Sequence, residues 1–414
     1  MREHRIFYIF SLAFRLLLDA IYAGIISSFF MAEGFENNVN LGSYVVSWLL
    51  FVMFSQMLSS FLKKENSLIS NLVVLLFLVK IVPFTSYIAF NPSSVHFVLL
   101  QVIYFSLILL LFRIVPPVRI SKIPQQGLFI NIITFVFVVT IVYLSGSYAN
   151  FRLHFSLKDV YALRMEAREY DIPLILSYIH GAAVKVLPIL LIYYIQKKDW
   201  IVSAIIILAL LFSFGIDGMK STFLNLILCL GLYVVRIKHI MRFLPVALTS
   251  LCILACGEYV FQDSYFLTDL FVRRVFFVPT LLDTFYYQYA LDFGPIYFNS
   301  MVDGVDISFV IGDLWRTGQT RANNGLFSDA FVNLGFWGVI VYPILYAIFF
   351  KWAEGGFDKK DNGIVFYAAF IMVYNMISSF FSVCLLTHGM FLLCLVVMFM
   401  PQTVTSNKII QRNL

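Results

Sequence analysis

The chain has 414 residues and a formal net charge of +6; 61% of it is hydrophobic and only 13% is charged. A soluble domain carries about 25% charged and about 45–50% apolar residues. This composition excludes a soluble globular protein, so lipid must solvate most of the surface, and no nucleic-acid partner is expected. We predict an all-α polytopic membrane protein that forms a single integral membrane domain over residues 1–414.

The apolar runs predict about 12 transmembrane helices, since each crossing needs roughly 20 apolar residues. The first run has a basic head like a signal peptide, but Arg15 and Asp19 interrupt it and no cleavage site follows. We therefore expect a retained span in which these two charges, four residues apart, form a pair. The runs are 6–30, 43–62, 67–89, 94–112, 127–145, 172–195, 200–215, 221–235, 243–261, 335–350, 363–383 and 387–402.

The basic residues predict the orientation. Seventeen of the 29 lie in one alternating set of short segments that includes both ends of the chain, which predicts that both termini are cytoplasmic. Nine others fall on the opposite, outer face. They concentrate in a loop with a short helix at 146–171, a turn at 216–220 and a long loop at 262–334. Lysine and arginine normally prefer the cytoplasmic loops of membrane proteins. A group of them on the outer face therefore indicates an anionic ligand there.

Two of these outer segments contain candidate anion-binding residues. In SLKDVYALRMEAREYDIP, Arg164 and Arg168 are four residues apart and share a helix face. The alternative is an ordinary surface helix with solvated charges. Lys220 begins a span, where a helix N-terminus and a lysine together suit phosphate. A lysine that merely extends to the membrane surface is the alternative there.

The long outer loop contains the third and fourth candidate segments. Arg273 and Arg274 lie beside aromatic residues, and the guanidinium fork matches paired phosphate oxygens. Arg316 and Arg321 lie in a Gly- and Asn-rich stretch just before a span, where functional loops are common. Four tyrosines offer flat faces to sugar rings, with interfacial anchoring as the alternative. They are Tyr286, Tyr287, Tyr289 and Tyr297.

Several polar residues fall within or near the ends of spans. Lys80 and Lys185 each precede a proline by three residues. Each lysine could hydrogen-bond a backbone group that the proline leaves without a partner, or it could have a functional role. His180 and Glu258 are candidate proton acceptors near outer span ends, and simple hydrogen bonding is the alternative for the histidine. All five cysteines fall in apolar runs, which indicates buried thiols rather than a metal site.

Four stretches are similar to bacterial O-antigen or capsule repeat-unit polymerases of the Wzy type. The clearest is NNGLFSDAFVNLGFWGVIVYP, which resembles that family's N-x-G turn, acidic-Ala pair, second N-x-G turn and final span. The others are DVYALRMEARE, GMKST and VRRVFFVP. Together with the span pattern they cover most of the chain from about 150 to 350, and residues 1–130 match in hydropathy alone.

The resemblance implies a GT-C-like membrane glycosyltransferase of the bacterial cytoplasmic (inner) membrane. It would act without metal or cofactor on undecaprenyl-pyrophosphate-linked oligosaccharides, with the lipid bilayer, a chain-length regulator and a flippase as partners. The expected pyrophosphate and glycan ligands are Arg164, Arg168, Lys220, Arg273, Arg274, Arg321 and Asn324. The candidate general bases are His180, Asp217, Glu258 and Asp329.

Two other functions stay open. A lipid-linked oligosaccharide flippase or transporter is favoured by the charged residues within spans, and an O-antigen ligase shares the general layout. The repeat-unit sugars and linkage, the choice between O-antigen and capsule, the stereochemical outcome, the general base and the oligomeric state do not follow from the sequence.

Overall fold

The computed structural model describes residues 4–64, 67–118, 120, 127–153, 163, 165–167, 169–235, 240–316, 320–358 and 360–400. Apart from one small hairpin, the elements within these ranges are helices. In chain order they are α1 (Arg5–Phe29), α2 (Leu41–Leu58), α3 (Leu68–Phe90), α4 (Val95–Ile114), α5 (Gly127–Ala149), α6 (Leu174–Gln196), α7 (Trp200–Asp217), α8 (Lys220–Val235), α9 (Ile240–Gln262), α10 (Thr268–Phe277), α11 (Val278–Phe293), β1 (Met301–Val302), β2 (Val305–Asp306), α12 (Ile307–Trp315), α13 (Phe327–Phe357), α14 (Asn362–Ser378) and α15 (Phe381–Phe399). The prediction of an all-α polytopic membrane protein is confirmed.

Ten of these helices, all except α8, α10, α11, α12 and α14, are long and apolar enough to cross a membrane. The apolar runs predicted at 221–235 and 363–383 form the shorter helices α8 and α14, of 16 and 17 residues. The described ranges therefore contain ten clear candidates where the sequence predicted about twelve, and the exact number of crossings stays a prediction.

The helices group into two compact units. Unit 1 comprises Met1–Pro117, His239–Trp352 and Val373–Phe381, and unit 2 comprises Val118–Lys238, Ala353–Met372 and Ser382–Leu414. In unit 1, α3 is buried along almost its whole length and is therefore the central helix. In unit 2, α7 packs against both α5 and α6.

Local sequence signals explain where several helices begin. The Asn40 side chain accepts a hydrogen bond from the Ser43 backbone amide at 2.8 Å, which forms a capping box at the start of α2. Ser67, Ser94 and Asp199 cap α3, α4 and α7 in the same way. These caps satisfy amide groups that the first turn of a helix leaves without partners.

Three π-helical segments lie in unit 1, at Tyr22–Ile26 in α1, at Phe77–Ile81 in α3 and over the whole of α10. Such segments are rare and are frequent at functional sites. The one in α3 contains Lys80 and is followed by Pro83, which cannot donate the usual helical hydrogen bond. A widened turn is one way for a helix to absorb that lost bond.

The segment predicted as a long loop at 262–334 is largely helical, and it begins and ends at one membrane face. Consecutive spans alternate in direction, so α1 ends, and α4 begins, at the same face, which we call the Glu33 face. Tyr259, near the end of α9, has its ring 6.0 Å from that of Phe29. The Phe327 ring, at the start of α13, lies 5.7 Å from that of Phe97 in α4. Both ends of the segment therefore lie at the Glu33 face.

Helices α10 and α11 contact this face at both ends of the segment that they form. Arg273 in α10 pairs with Glu33, just beyond α1, and the Tyr287 hydroxyl in α11 lies 3.5 Å from Nδ1 of His96 at the start of α4. A helix that crossed the membrane would not contact the same face at both of its ends. The 26 residues from 268 to 293 thus begin and end at the Glu33 face. Between these ends the segment reaches down among the spans of unit 1, because the Phe276 ring lies 5.3 Å from that of Phe14, midway along α1, and Lys80, midway along α3, contacts Pro279 and Asp283.

Candidate functional site

The basic residues of α10 form a cluster with an acidic residue from the same helix and one from the short 3-10 turn Met31–Glu33 that follows α1. Arg273 pairs with Asp269, four residues earlier, and with Glu33. Glu33 also pairs with Arg316, and Asp269 lies 3.3 Å from Arg274. In this arginine cluster (Glu33, Asp269, Arg273, Arg274 and Arg316), three guanidinium groups face two carboxylates, which leaves one positive charge in excess.

The three arginines of the cluster differ in access to solvent. Arg273 is 3% exposed, and the centre of its guanidinium lies 4.3 Å from the centroid of the Phe30 ring. The side chains of Arg274 and Arg316 are 52% and 33% exposed. Arg273 is therefore enclosed by its carboxylates and an aromatic ring, whereas Arg274 and Arg316 are open to an incoming anion.

Exposed apolar side chains border the arginine cluster. Phe29 ends α1, Met31 follows it and Phe266 precedes α10, and all three are exposed. The Tyr265 ring stacks on Phe29 at 4.7 Å. A cationic cluster beside exposed apolar groups suits an anion that carries a hydrocarbon tail, because the two parts of such a ligand need these two environments.

Lys80 and Asp283 form a buried ion pair that fastens α11 to α3. The Lys80 ammonium lies 2.7 Å from Asp283 Oδ2 and donates to the Pro279 carbonyl at 2.9 Å. Gln101 donates to Asp283 Oδ2 at 3.0 Å, and Ser328 donates to Oδ1 at 2.7 Å. A buried ion pair needs additional hydrogen bonds of this kind to offset the desolvation of both charges.

Asn324 extends this buried network into the loop that precedes α13. Its side-chain nitrogen lies 2.9 Å from Pro279 O, 2.9 Å from Asp283 Oδ1 and 2.8 Å from Ser328 Oγ. The residue is 1% exposed. In this conformation Asn324, predicted as a substrate ligand, faces the protein interior and holds the loop in place.

The remainder of this loop is equally constrained. The Tyr286 hydroxyl donates to the Ala322 carbonyl at 2.9 Å, and burial raises the pKa of the Tyr286 phenol, which keeps it a donor. A Cβ at Gly325 would lie 2.1 Å from the Met376 carbonyl oxygen, so only glycine fits there. Arg321 is exposed on this loop, and its guanidinium lies 4.6 Å from the Phe309 ring.

Asp329, a candidate general base, is buried and hydrogen-bonded on both carboxylate oxygens. Oδ1 accepts from the Tyr342 hydroxyl at 2.8 Å and from Asn333 Nδ2 at 2.7 Å, and Oδ2 accepts from the Phe381 amide at 2.6 Å. Its position therefore suits a structural role. Glu258, also in unit 1, accepts from Ser264 at 2.8 Å and from the Leu267 amide at 2.7 Å.

The other two candidate bases lie in unit 2. His180 Nε2 in α6 lies 2.9 Å from Ser213 Oγ in α7. The carboxylate of Asp217 at the end of α7 accepts from the Met219 amide at 2.8 Å. The four predicted bases are thus distributed over two units, and the contacts of the described residues select none of them as the base.

Three predicted anion ligands lie wholly or partly outside the residues that the structure describes. Arg164 and Arg168 lie outside the described residues, and Lys220 begins α8 with its side chain outside what is described. In the same loop Arg152 donates to both carboxylate oxygens of Glu166, at 3.0 and 3.2 Å. This pairing lowers the pKa of Glu166 and raises that of Arg152. Within the described ranges, no three His, Cys, Asp or Glu side chains gather as metal ligands.

No protein-family model, curated protein or solved structure matches this chain. The resemblance to Wzy-type polymerases therefore rests on the sequence motifs alone. The enzyme class, the substrates and the roles of the individual residues stay predictions.

Sequence reasoning missed the acidic partners of the site. Glu33 and Asp269 were not singled out, yet they hold the arginine cluster together. Asp283 was not singled out either, although a lysine within a span needs a counter-charge and Asp283 is an acid within an apolar stretch. Searching for the counter-ion of Lys80 would have pointed to it.

Proposed function

We propose that the chain is a metal-independent membrane glycosyltransferase that polymerises undecaprenyl-pyrophosphate-linked oligosaccharide repeat units into O-antigen or capsular polysaccharide. The arginine cluster carries this proposal, because its excess positive charge lies beside exposed apolar side chains at the end of a span. That combination fits the diphosphate and the hydrocarbon chain of a lipid carrier. The proposal places the Glu33 face on the outer side of the cytoplasmic membrane.

The arginine cluster suits the chemistry of this transfer. The bond between the anomeric carbon of the growing chain and a pyrophosphate oxygen breaks, and a bond forms from that carbon to a hydroxyl of the acceptor repeat unit. The hydroxyl proton passes to a base, and negative charge grows on the departing pyrophosphate. Fixed cations that bind this charge more strongly in the transition state than in the ground state lower the barrier. Arg274 and Arg316 have the access for this role, and Arg273 positions the carboxylates between them.

The test is complementation of a strain from which the gene has been deleted. We expect the deletion strain to carry single repeat units on its lipid core and wild-type protein to restore long chains on gels. Arg274→Ala and Arg316→Ala should shorten the chains or abolish them at unchanged protein level, because the Arg274 side chain is exposed and that of Arg316 is partly exposed. Arg113→Ala is the matched control, since this exposed arginine lies at the opposite end of α4. Full-length polymer from both cluster variants would refute the assigned role.

A flippase or transporter is the second candidate, and the buried Lys80–Asp283 pair is the observation that favours it. Ionisable residues inside a membrane bundle often mark transport pathways. Purified protein in liposomes separates the two functions, because a polymerase joins lipid-linked units without moving them across the bilayer. A ligase differs from both in requiring lipid A-core as the acceptor.

A further inference from the structure

Two adjacent aromatic residues between α11 and the hairpin adopt an uncommon backbone conformation and face solvent. Tyr297 and Phe298 have φ angles of +48° and +67°, and the two residues are 71% and 61% exposed, respectively. A left-handed conformation is unfavourable for a residue other than glycine. Burial of the rings does not offset this cost, because the rings are exposed. Strain of this kind concentrates at ligand-binding sites.

The surrounding structure enforces this conformation through Asn333 in α13. The Tyr297 amide donates to the Asn333 carbonyl at 3.1 Å, and the Phe298 amide donates to Asn333 Oδ1 at 2.9 Å. Asn333 Nδ2 in turn donates to the buried Asp329 carboxylate at 2.7 Å. The exposed aromatic pair is therefore held by a buried polar network and does not depend on any contact of its own rings.

The charge around the pair argues against a membrane anchor. No lysine, arginine or histidine occurs from residue 275 to 315, whereas Asp292 and Asp303 flank the pair and are exposed. Segments that bind anionic membrane surfaces are rich in lysine and arginine. Asn299 and Ser300 follow the pair directly and are also exposed. Aromatic faces among carboxylate, amide and hydroxyl groups suit a neutral polyhydroxylated ring.

We infer that Tyr297 and Phe298 form a saccharide subsite that binds the apolar C–H face of a neutral sugar ring. The exposed carboxylate and amide groups beside them would accept and donate hydrogen bonds to its hydroxyl groups. This inference rests on the proposed function, because it assigns the subsite to the oligosaccharide part of the lipid-linked substrate.

The subsite and the arginine cluster are joined by α12. This helix begins directly after the hairpin, and the Trp315 indole at its end donates to the Glu33 carbonyl at 3.0 Å. Its nine residues span about 13 Å at 1.5 Å per residue. The ring that binds at Tyr297 and Phe298 is therefore remote from the pyrophosphate end of the substrate.

Glycine substitutions test the subsite without endangering the fold, because glycine adopts positive φ freely. The probe is the phosphate-free oligosaccharide released by mild acid from the lipid-linked pool of the producing cells, titrated against protein in nanodiscs. We expect Tyr297→Gly and Phe298→Gly each to weaken binding at least tenfold while the melting temperature is unchanged or higher. Phe135→Ala, which removes an exposed aromatic ring on α5, should leave binding unchanged.

The outcomes separate this inference from the proposed function. Equal affinity in the wild type and both glycine variants, or no saturable binding to wild type, would overturn the subsite even if the gene deletion abolishes polymer. Suppose that saccharide binding in nanodiscs depends on both rings but the cells still make polysaccharide after the gene is deleted. That pair of results would support the subsite and refute the polymerase.

Discussion

The Lys80 ammonium lies 2.7 Å from the Asp283 carboxylate, and neither side chain is more than 1% exposed. This pair joins the middle of α3, the central helix of unit 1, to α11. Because α10 and α11 are continuous, the same pair also fixes the helix that carries Arg273 and Arg274. A buried contact thus positions an exposed cationic site.

Removing one member of this pair should destabilise the protein far more than removing both. Asp283→Leu leaves a buried ammonium without its counter-ion, and breaking a buried pair in this way costs about 3–5 kcal/mol. The double variant Lys80→Met, Asp283→Leu replaces both charges with apolar groups and should recover the part of that loss that comes from the uncompensated charge. Gln101, Ser328 and Asn324 lose the same acceptor in both variants. Melting in detergent, followed by size-exclusion chromatography of the heated samples, measures the difference. If the double variant melts as low as Asp283→Leu, the two residues do not act as a pair.

The sequence predicted those features that depend on neighbouring residues. Hydropathy located the candidate spans, because each is a continuous apolar stretch. The pairing of Arg15 with Asp19 was predicted from their spacing of four residues and is confirmed. Lys80 and Asp283 are 203 positions apart, so no local pattern connects them. The carboxylates of the arginine cluster escaped prediction for the same reason, since Glu33 and Arg273 are 240 positions apart.

The polar residues of the motif that resembles a polymerase point inward. Asn324, Asp329 and Asn333 are each buried and hydrogen-bonded within unit 1. A stretch rich in Gly, Asn and Asp suits an exposed functional loop and also suits a loop fastened by side-chain hydrogen bonds. Sequence alone does not distinguish these cases, because burial depends on how α11 and α13 pack together.

Asp329 should prove to be a stabilising residue. Its carboxylate accepts from the Tyr342 hydroxyl, Asn333 Nδ2 and the amide of Phe381, the residue that begins α15. Asp329→Asn removes the charge and at least one of these acceptor positions, and hydrogen bonds to charged groups contribute about 1.5–3 kcal/mol. The melting temperature should therefore fall. Tyr342→Phe, which removes one donor, should have a smaller effect. An Asp329→Asn protein of wild-type stability that makes no polymer would instead favour a catalytic role.

Residues at the Glu33 face between α1 and α2, and in the hairpin beyond α11, should be accessible from a single side of the membrane. We expect Asn38→Cys and Asp303→Cys to react with an impermeant maleimide from one side, and Arg113→Cys from the other. Cys256→Ser provides the background, because the other four native cysteines are buried. Intact cells and inverted vesicles supply the two sides. Labelling of residues 38 and 303 from opposite sides would mean that 268–293 crosses the membrane as an additional span.

The stability of unit 2 should depend on pH through Lys360. Its ammonium donates to the Met398 carbonyl at 3.0 Å and to the Met400 carbonyl just beyond α15, and burial lowers the pKa of Lys360 to about 8, against an ordinary value of 10.5. Between these two values the unfolded chain binds more protons than the folded one. Stability therefore rises with pH from about 8 to 10.5, and the unfavourable contribution is present in full below pH 8.

Lys360→Met isolates this contribution, because it removes the titrating group and keeps a side chain of similar length. The difference in melting temperature between wild type and variant should shift in favour of wild type as the pH increases from 8 to 10.5. Other groups titrate over the same range in both proteins, so the difference between the two curves is the informative quantity. A difference that does not change with pH would show that the ammonium of Lys360 keeps the same proton affinity in the folded and unfolded chains.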